Sequence, residues 1–148
     1  MDLILWRHAD AESGIPDDQR RLSAKGLKQA ERMAEWLRGR LPKDTVILVS
    51  PARRAQETAR ALAKKFEIRA EVGTTATPRG VLEAAGWPDG EDAVLVVGHQ
   101  PTLGQAAALA LTGKAAEWTL RKGAIWWLER RDRDEEPLVR AVISPDLL

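Results

Sequence analysis

Cysteine is absent from the 148 residues of this chain. Its absence excludes disulfide bonds, thiolate nucleophiles and zinc ribbons built on cysteine. No apolar run approaches the roughly 20 residues that a membrane-spanning helix needs. The chain also passes from Met1 and Asp2 directly into the apolar residues 3–6, which leaves no room for a charged segment before a signal-peptide core. We therefore expect a cytoplasmic protein that makes no contact with membranes.

A surplus of charge of either sign is lacking as well. The 23 Lys and Arg residues nearly cancel the 22 Asp and Glu residues, for a net charge of +1. Nonspecific binding of nucleic acid usually requires a broad positive field, so we expect no nucleic-acid partner and only local recognition of anions. No linker, internal repeat or low-complexity tract is present. The chain is therefore expected to form a single domain over residues 1–148, and nothing in it argues against a monomer.

Apolar periodicity predicts strands that alternate with helices over the first 112 residues. Continuous apolar runs bounded by turn residues indicate strands, whereas apolar residues at three- and four-residue steps indicate amphipathic helices. Alternation of this kind implies a parallel or mixed sheet with both faces covered, followed by a C-terminal hairpin. The expected strands cover residues 3–6, 45–49, 67–72, 93–97, 124–129 and 138–143, and the expected helices cover residues 23–40, 51–65, 78–85 and 101–111.

Both histidines of the chain stand at the end of a predicted strand. His8 closes "LILWRH" directly after Arg7, and His99 closes "VLVVGHQP". A third strand, in "TVILVSP", leads straight to Arg53 and Arg54. Open α/β sheets bind ligands beyond the carboxyl ends of their strands. Because arginine matches oxyanions and neutral histidine can act as a nucleophile, the pattern predicts a phosphate pocket with a nucleophilic histidine.

The second helix should direct only one of its two arginines into this pocket. Consecutive helical residues are separated by about 100°, so either Arg53 or Arg54 faces solvent. Basic residues oppose the dipole at a helix start, and an anion bound there would reverse that penalty. The other basic pairs, including Arg20 and Arg21, have acidic neighbours and are expected on exposed loop surface.

A metal site is the main alternative for the two histidines. Asp10 and Glu12 could join them as ligands, and a metal needs three or four converging groups. Arg7 and Arg54 in the same pocket would repel a cation. We therefore expect neither a metal nor another cofactor.

Four motifs in order resemble the histidine phosphatase superfamily, and within it the small bacterial phosphohistidine phosphatases of the SixA type. They are "LWRHADAE", "RRLSAKGLKQA", "SPARRAQETA" and "VVGHQPTLG", and the resemblance extends to about residue 112. It implies a three-layer α/β/α sandwich of the phosphoglycerate mutase-like kind with a mostly parallel sheet, a covalent phosphohistidine intermediate and no metal.

The same resemblance implies roles for four residues. His8 matches the nucleophile of the family, Arg7 the arginine before it, and His99 the second histidine. Arg54 matches the arginine of the "RAxxT" pattern and is therefore preferred over Arg53. Arg7, Arg54 and His99 would bind the phosphoryl group. Ala9 stands where many members have glycine, a change that this small subgroup often shows.

The segment "VGTTATPRG" contains no carboxylate, although many members of the family carry an acid there. A departing alkoxide needs a proton from a positioned acid, whereas the imidazole of phosphohistidine leaves easily once it is protonated. The missing acid therefore favours phosphoramidate or otherwise activated substrates, and the resemblance to the SixA type implies dephosphorylation of phosphohistidine on a protein. Alternatives are a phosphatase of small phosphate esters, which would need a loop acid, and a phosphate-binding module without turnover. The loop acids that could serve are Asp10, Glu12, Glu83, Asp89 and Glu91.

Overall fold

The computed structural model describes residues 1–90 and 93–148. Within these ranges six strands and four α-helices alternate as the apolar periodicity predicts. The strands are β1 (Asp2–Arg7), β2 (Val46–Val49), β3 (Glu67–Ile68), β4 (Val94–Gly98), β5 (Ile125–Glu129) and β6 (Leu138–Ile143). The helices are α1 (Ala24–Leu37), α2 (Arg53–Arg60), α3 (Pro78–Ala85) and α4 (Thr102–Thr112), and short 3-10 turns cover Asp17–Gln19, Ala70–Val72 and Pro145–Leu147.

The six strands form one mixed sheet in the order β3-β2-β4-β1-β5-β6. The first four strands of the chain run parallel, and β5 and β6 form the expected antiparallel hairpin at one side. Pairing of Arg7 with Gly98 and of Val49 with Val97 sets the register of the central strands. The carboxyl ends of β1, β2 and β4 therefore lie side by side at one edge of the sheet.

Helices cover both faces of the sheet because the central strands are apolar on both sides. Leu3 and Val96 pack on one face with residues of α3 and α4. Ile4 and Val97 pack on the opposite face with residues of α1 and α2. Successive residues of a strand point to opposite faces, so two separate hydrophobic clusters result. The predicted three-layer α/β/α sandwich is confirmed.

Several predicted helices and strands are longer than those in the structure. Helix α1 ends at Leu37 rather than at residue 40, because Arg38 is extended and Gly39 takes a positive φ of 79°. The third strand is only two residues long, and a 3-10 turn replaces the rest of the predicted 67–72 segment. Its residues are exposed and pair with β2 alone, so little packing favours a longer strand. None of the helices in the described ranges combines the length and hydrophobicity needed to cross a bilayer.

Candidate active site

The register of the sheet brings the two histidines together. The backbone N–H of His8 donates to the carbonyl of Gly98 at 3.0 Å, so the residues that follow β1 and β4 are neighbours. The ring centroids of His8 and His99 lie 5.2 Å apart, and both side chains are largely buried. They line one cavity of about 380 Å³ together with Arg7 and Arg54. The four residues predicted from the sequence are therefore gathered at one site.

A backbone hydrogen bond fixes which nitrogen of His8 carries the proton. Nδ1 lies 2.7 Å from the carbonyl oxygen of Ala9. A carbonyl can only accept, so Nδ1 must donate and the neutral ring must keep its lone pair on Nε2. The Nε–H of Arg54 approaches that Nε2 at 3.3 Å. The ring nitrogen of His8 that carries the lone pair therefore accepts from a guanidinium group.

Arg54, rather than Arg53, belongs to the cavity, as the "RAxxT" pattern predicts. Arg54 is buried on the first turn of α2, whereas Arg53 is exposed and forms an ion pair with Glu57 at 3.4 Å. Thr58, one turn later, donates to the carbonyl of Arg54 at 2.7 Å and accepts from the backbone N–H of Ala9 at 3.0 Å. The threonine of the motif thus ties α2 to the loop that follows His8.

Arg7 supplies the second guanidinium of the cavity. Its Nη1 donates to the carbonyl of Leu120 at 2.8 Å, and its buried Nε–H has no partner in the described part of the chain. Burial lowers the pKa of Arg7, but arginine stays charged at any physiological pH. An unpartnered buried N–H is costly for the folded chain.

Ser50 is a site residue whose role depends on tertiary contacts. The order Ser50-Pro51 is typical of a helix N-cap followed by a proline in the first turn, but the cap residue of α2 is Ala52 and the helix begins at Arg53. The buried hydroxyl of Ser50 instead lies 2.7 Å from Nε2 of His99 and accepts from the N–H of Ala52. Ser50 follows β2 just as the histidines follow their strands, and that position was the signal for its role.

The loop between β1 and α1 closes one side of the cavity with a charged pair. Arg54 donates to the carbonyl of Asp17 at 2.9 Å and to its carboxylate at 3.1 Å. Arg20 also binds the Asp17 carboxylate, at 3.1 Å, and both residues line the cavity. The expectation that Arg20 lies on plain loop surface is therefore wrong. Arg21 does face solvent, paired with Glu12 at 2.8 Å.

Helix α1 holds this loop through a close backbone approach. A Cβ at Gly26 would lie 1.9 Å from the carbonyl oxygen of Asp10, so only glycine fits there. Ser23 caps the helix by accepting from the N–H of Gly26, and its hydroxyl donates to the Asp10 carboxylate at 2.6 Å. The "SAKG" part of the second motif is thus explained by packing against the segment after His8.

None of the loop acids considered from the sequence lines the cavity among the described residues. Asp10 is bound to Lys122 at 2.8 Å, and this hydrogen bond helps to hold the pKa of Asp10 below its usual range. Glu12 is paired with Arg21, and Glu83 is exposed on α3. The exposed Asp89 carboxylate pairs with Arg130, which follows β5, at 3.8 Å. Glu91 lies outside the described residues.

The segment "VGTTATPRG" contributes a hydroxyl group where an acid was sought, because Thr74 lines the cavity. The one carboxylate among the described lining residues is Asp17. Loss of hydration acts to raise the pKa of Asp17, but the nearby Arg54 and Arg20 outweigh it and hold that pKa below the usual range. A carboxylate in this state is an anion at neutral pH and has no proton to donate.

Both imidazoles are neutral in the free protein. Burial is the largest cause and, with the charges of Arg54 and Arg7, lowers the pKa of His8 to about 3, although the hydrogen bond to Ala9 opposes the shift. Burial and the charge of Arg54 lower the pKa of His99 to about 4, with Asp17 opposing. Burial is therefore a stronger effect on the pKa of His8 than the neighbouring guanidinium groups.

These shifts predict a specific titration behaviour. The chain has only two histidines, so NMR of the ring protons reports both without ambiguity. We expect neither ring to titrate above about pH 5 in the free protein. Unfolded imidazoles protonate near pH 6.5. The unfolded chain therefore binds more protons below that pH, and stability should fall as the pH is lowered from about 6.5 towards 4.

Addition of inorganic phosphate provides the matched measurement. A dianion next to His99 favours its charged form, so phosphate should raise the pKa of that ring. Titration of either ring near pH 6.5 in the free protein would contradict this description of the site. A pKa of His99 that stays the same when phosphate is added would contradict it as well.

The arrangement suits chemistry on phosphate and offers little to a metal. Two neutral imidazoles and three guanidinium groups, those of Arg7, Arg20 and Arg54, surround one cavity at the ligand-binding edge of the sheet. No group of three or more histidine, aspartate or glutamate side chains is placed to hold a metal ion in residues 1–90 and 93–148. Fold and site together define a phosphatase of the phosphoglycerate mutase-like class.

Comparisons with known proteins place the chain within that class. A family model described as the histidine phosphatase superfamily, branch 1, matches residues 3–76. Phosphohistidine phosphatase SixA of Escherichia coli is 31% identical over 124 residues, which cover 77% of this chain and 76% of that protein. The solved structure of the protein histidine phosphatase SixA complexed with tungstate is similar with a TM-score of 0.84 and 25% identity, over 99% of both chains. The chain belongs to the histidine phosphatase superfamily, and it is of the SixA type.

An uncharacterised protein of Mycobacterium leprae is 37% identical over 101 residues, or 67% of this chain. The chain spans 62% of that relative's length. These relationships support phosphatase activity. The substrate is inferred below from the chemistry of the site.

Proposed function

We propose that this protein removes the phosphoryl group from phosphohistidine on another protein, through a covalent phosphohistidine at His8. The observation that carries the proposal is the absence of a proton-donating acid among the described residues of the cavity. Asp17 is the one carboxylate there, and two arginines hold it as an anion. Hydrolysis of an alkyl phosphate requires a proton for the alkoxide, whereas phosphohistidine releases an imidazole that is itself readily protonated.

In the first step Nε2 of His8 attacks phosphorus in line with the leaving imidazole. The bond from Nε2 to phosphorus forms as the phosphorus–nitrogen bond of the substrate breaks. The substrate imidazole leaves as a neutral ring, because its other nitrogen already carries a proton. Positive charge around the equatorial oxygens does most of the catalysis in such transfers. Arg7 and Arg54 supply that charge, and neutral His99 adds a hydrogen-bond donor. The hydrogen bond from His8 Nδ1 to Ala9 keeps the attacking lone pair directed away from the backbone.

In the second step water attacks the phosphorylated His8. The new oxygen–phosphorus bond replaces the bond to Nε2, inorganic phosphate leaves, and His8 returns to its neutral form. One proton of the attacking water stays on the new oxygen of the inorganic phosphate, and the other passes to solvent. Ser50 engages Nε2 of His99, so Nδ1 is the ring nitrogen left to contact the phosphoryl oxygens. Small-molecule cofactors take part in neither step.

A turnover comparison tests the proposal. The substrates are a protein phosphorylated on histidine, an alkyl phosphate such as phosphoserine, and an aryl phosphate whose leaving group needs no acid. A positioned acid contributes about 10²- to 10⁴-fold to a rate. We therefore expect kcat/KM for the alkyl ester to fall below that for phosphohistidine by at least about 10²-fold, with the aryl ester between them. Equal rates on all three would favour the alternative, a phosphatase of small phosphate esters.

A further inference from the structure

We propose that a basic groove beside the active site docks an acidic segment of the phosphorylated protein. This proposal rests on the proposed function, because it concerns how the protein that carries the phosphohistidine is held. The groove lies between α1 and the C-terminal 3-10 turn Pro145–Leu147 and encloses about 470 Å³. We call it the α1 groove.

One wall of the α1 groove is a stripe of cations. Lys25, Lys28 and Arg32 follow one another at steps of three and four residues, so they share one face of the helix. The stripe is about 10 Å long at 1.5 Å per residue. Ala24, Gln29 and Pro145 also line the groove, together with Asp146, whose carboxylate is paired with Arg121 at 3.5 Å. Such a surface fits an extended or helical segment with acidic side chains on one side and small or apolar ones on the other.

The cations of this stripe are available to bind acidic side chains of another protein. Lys25, Lys28 and Arg32 are exposed and form no ion pair with any residue in 1–90 or 93–148. Exposed arginines on the opposite side of the cavity differ, since Arg21 and Arg53 are each paired with a glutamate. In a chain of net charge +1, three unpaired cations in one row form a local positive field. Charge complementarity therefore selects an acidic partner.

The α1 groove and the catalytic cavity share no lining residue, but a short series of contacts connects their walls. Gln29, which lines the groove, accepts from the backbone N–H of Asp10, and the Asp10 carboxylate binds Lys122, which lines the cavity. Gly123 packs between Gln29 and Pro145, where a Cβ would lie 3.6 Å from the first and 2.9 Å from the second. A protein whose phosphohistidine enters the cavity would therefore place its neighbouring residues over the stripe.

The test uses two synthetic peptides that each carry one phosphohistidine, flanked by glutamates in one and by lysines in the other, together with free phosphohistidine. For the natural protein we expect kcat/KM on the glutamate-flanked peptide to exceed that on the lysine-flanked peptide by about tenfold, mainly through KM. The double substitution Lys25→Glu, Lys28→Glu should abolish or invert this preference. It should leave turnover of free phosphohistidine unchanged.

The matched control is the double substitution Lys64→Glu, Lys65→Glu. It makes the same change of charge on exposed residues that precede β3, at the opposite edge of the sheet, and it should keep the preference. Equal turnover of both peptides by the natural protein, or an unchanged preference in the α1 variant, would overturn docking while leaving the phosphohistidine activity intact. Failure to hydrolyse any of the three substrates would overturn the proposed function and docking with it.

Discussion

Replacing His8 by alanine abolishes turnover of phosphohistidine, with an expected loss in kcat/KM of about 10⁴-fold or more. The reason is that Nε2 of His8 is the attacking atom in the proposed mechanism. In the cavity it carries the lone pair, since Nδ1 donates to Ala9. The nearby Nε–H of Arg54, which donates to that Nε2, cannot replace the lost nucleophile because a guanidinium group carries only donors and no lone pair for attack. Steady-state release of phosphate measures the effect.

Direct trapping of the intermediate accompanies the kinetic measurement. Natural protein mixed with substrate and quenched at alkaline pH should carry a phosphoryl group on His8, located by mass spectrometry of its peptides, and the His8→Ala variant should carry none. Thermal unfolding checks that the variant is folded. A label on His99, full activity in the variant, or phosphate binding without any label in the natural protein would each contradict the nucleophilic role. The last of these would identify a binding module without turnover.

The positions of His8 and His99 could be predicted from the sequence because they depend on topology alone. Each follows an apolar run, and the carboxyl ends of parallel strands meet at one edge whatever the details of their packing. The choice of Arg54 over Arg53 followed from the family motif and helical spacing, and the structure supports it through the burial of one and the exposure of the other. Predicting these features requires only the order of the strands and helices and the periodicity of their residues.

Asp17, Arg20 and Ser50 could not be assigned in this way, because tertiary contacts determine their roles. The loop that carries Asp17 and Arg20 is shaped by an isolated bridge between Ala11 and Leu22 and by the bond from the N–H of Leu22 to Glu57 on α2. Sequence spacing shows neither contact. Ser50 satisfied a local rule for helix capping, and the competing bond to His99 became visible only with the register of β2 and β4.

The loop between β1 and α1 also affects how tightly the cavity binds an anion. Arg54 is satisfied in the free protein by Asp17, so its charge is not left without a partner when the cavity holds no phosphate. A phosphoryl group that binds Arg54 must either share this arginine with the Asp17 carboxylate or displace the carboxylate. Competition of this kind weakens binding of small anions and favours a substrate that gains further contacts outside the cavity. The α1 groove offers such contacts to a protein and not to a small ester.

Substitution of Arg54 should have the second largest effect, and Arg53 provides its matched control. Arg54→Ala removes the guanidinium that faces Nε2 of His8, so both the positioning of the nucleophile and the stabilisation of the equatorial oxygens are lost. Loss of one such donor costs about 10²- to 10³-fold in kcat. We expect the upper end of that range for Arg54→Ala. Arg54→Lys should recover little, because lysine lacks the planar pair of donors.

Arg53→Ala tests the opposite expectation on the same turn of α2. Its side chain is exposed and paired only with Glu57, so turnover should remain within about twofold, as is typical of an exposed ion pair. The two variants lose the same group at adjacent positions, and any general effect of charge or helix stability acts on both. The measurement is kcat and KM on phosphohistidine, with NMR of the His8 ring as a second readout. Equal losses in both variants would contradict the assignment, since the contact between Arg54 and His8 would then have no separate role in the reaction.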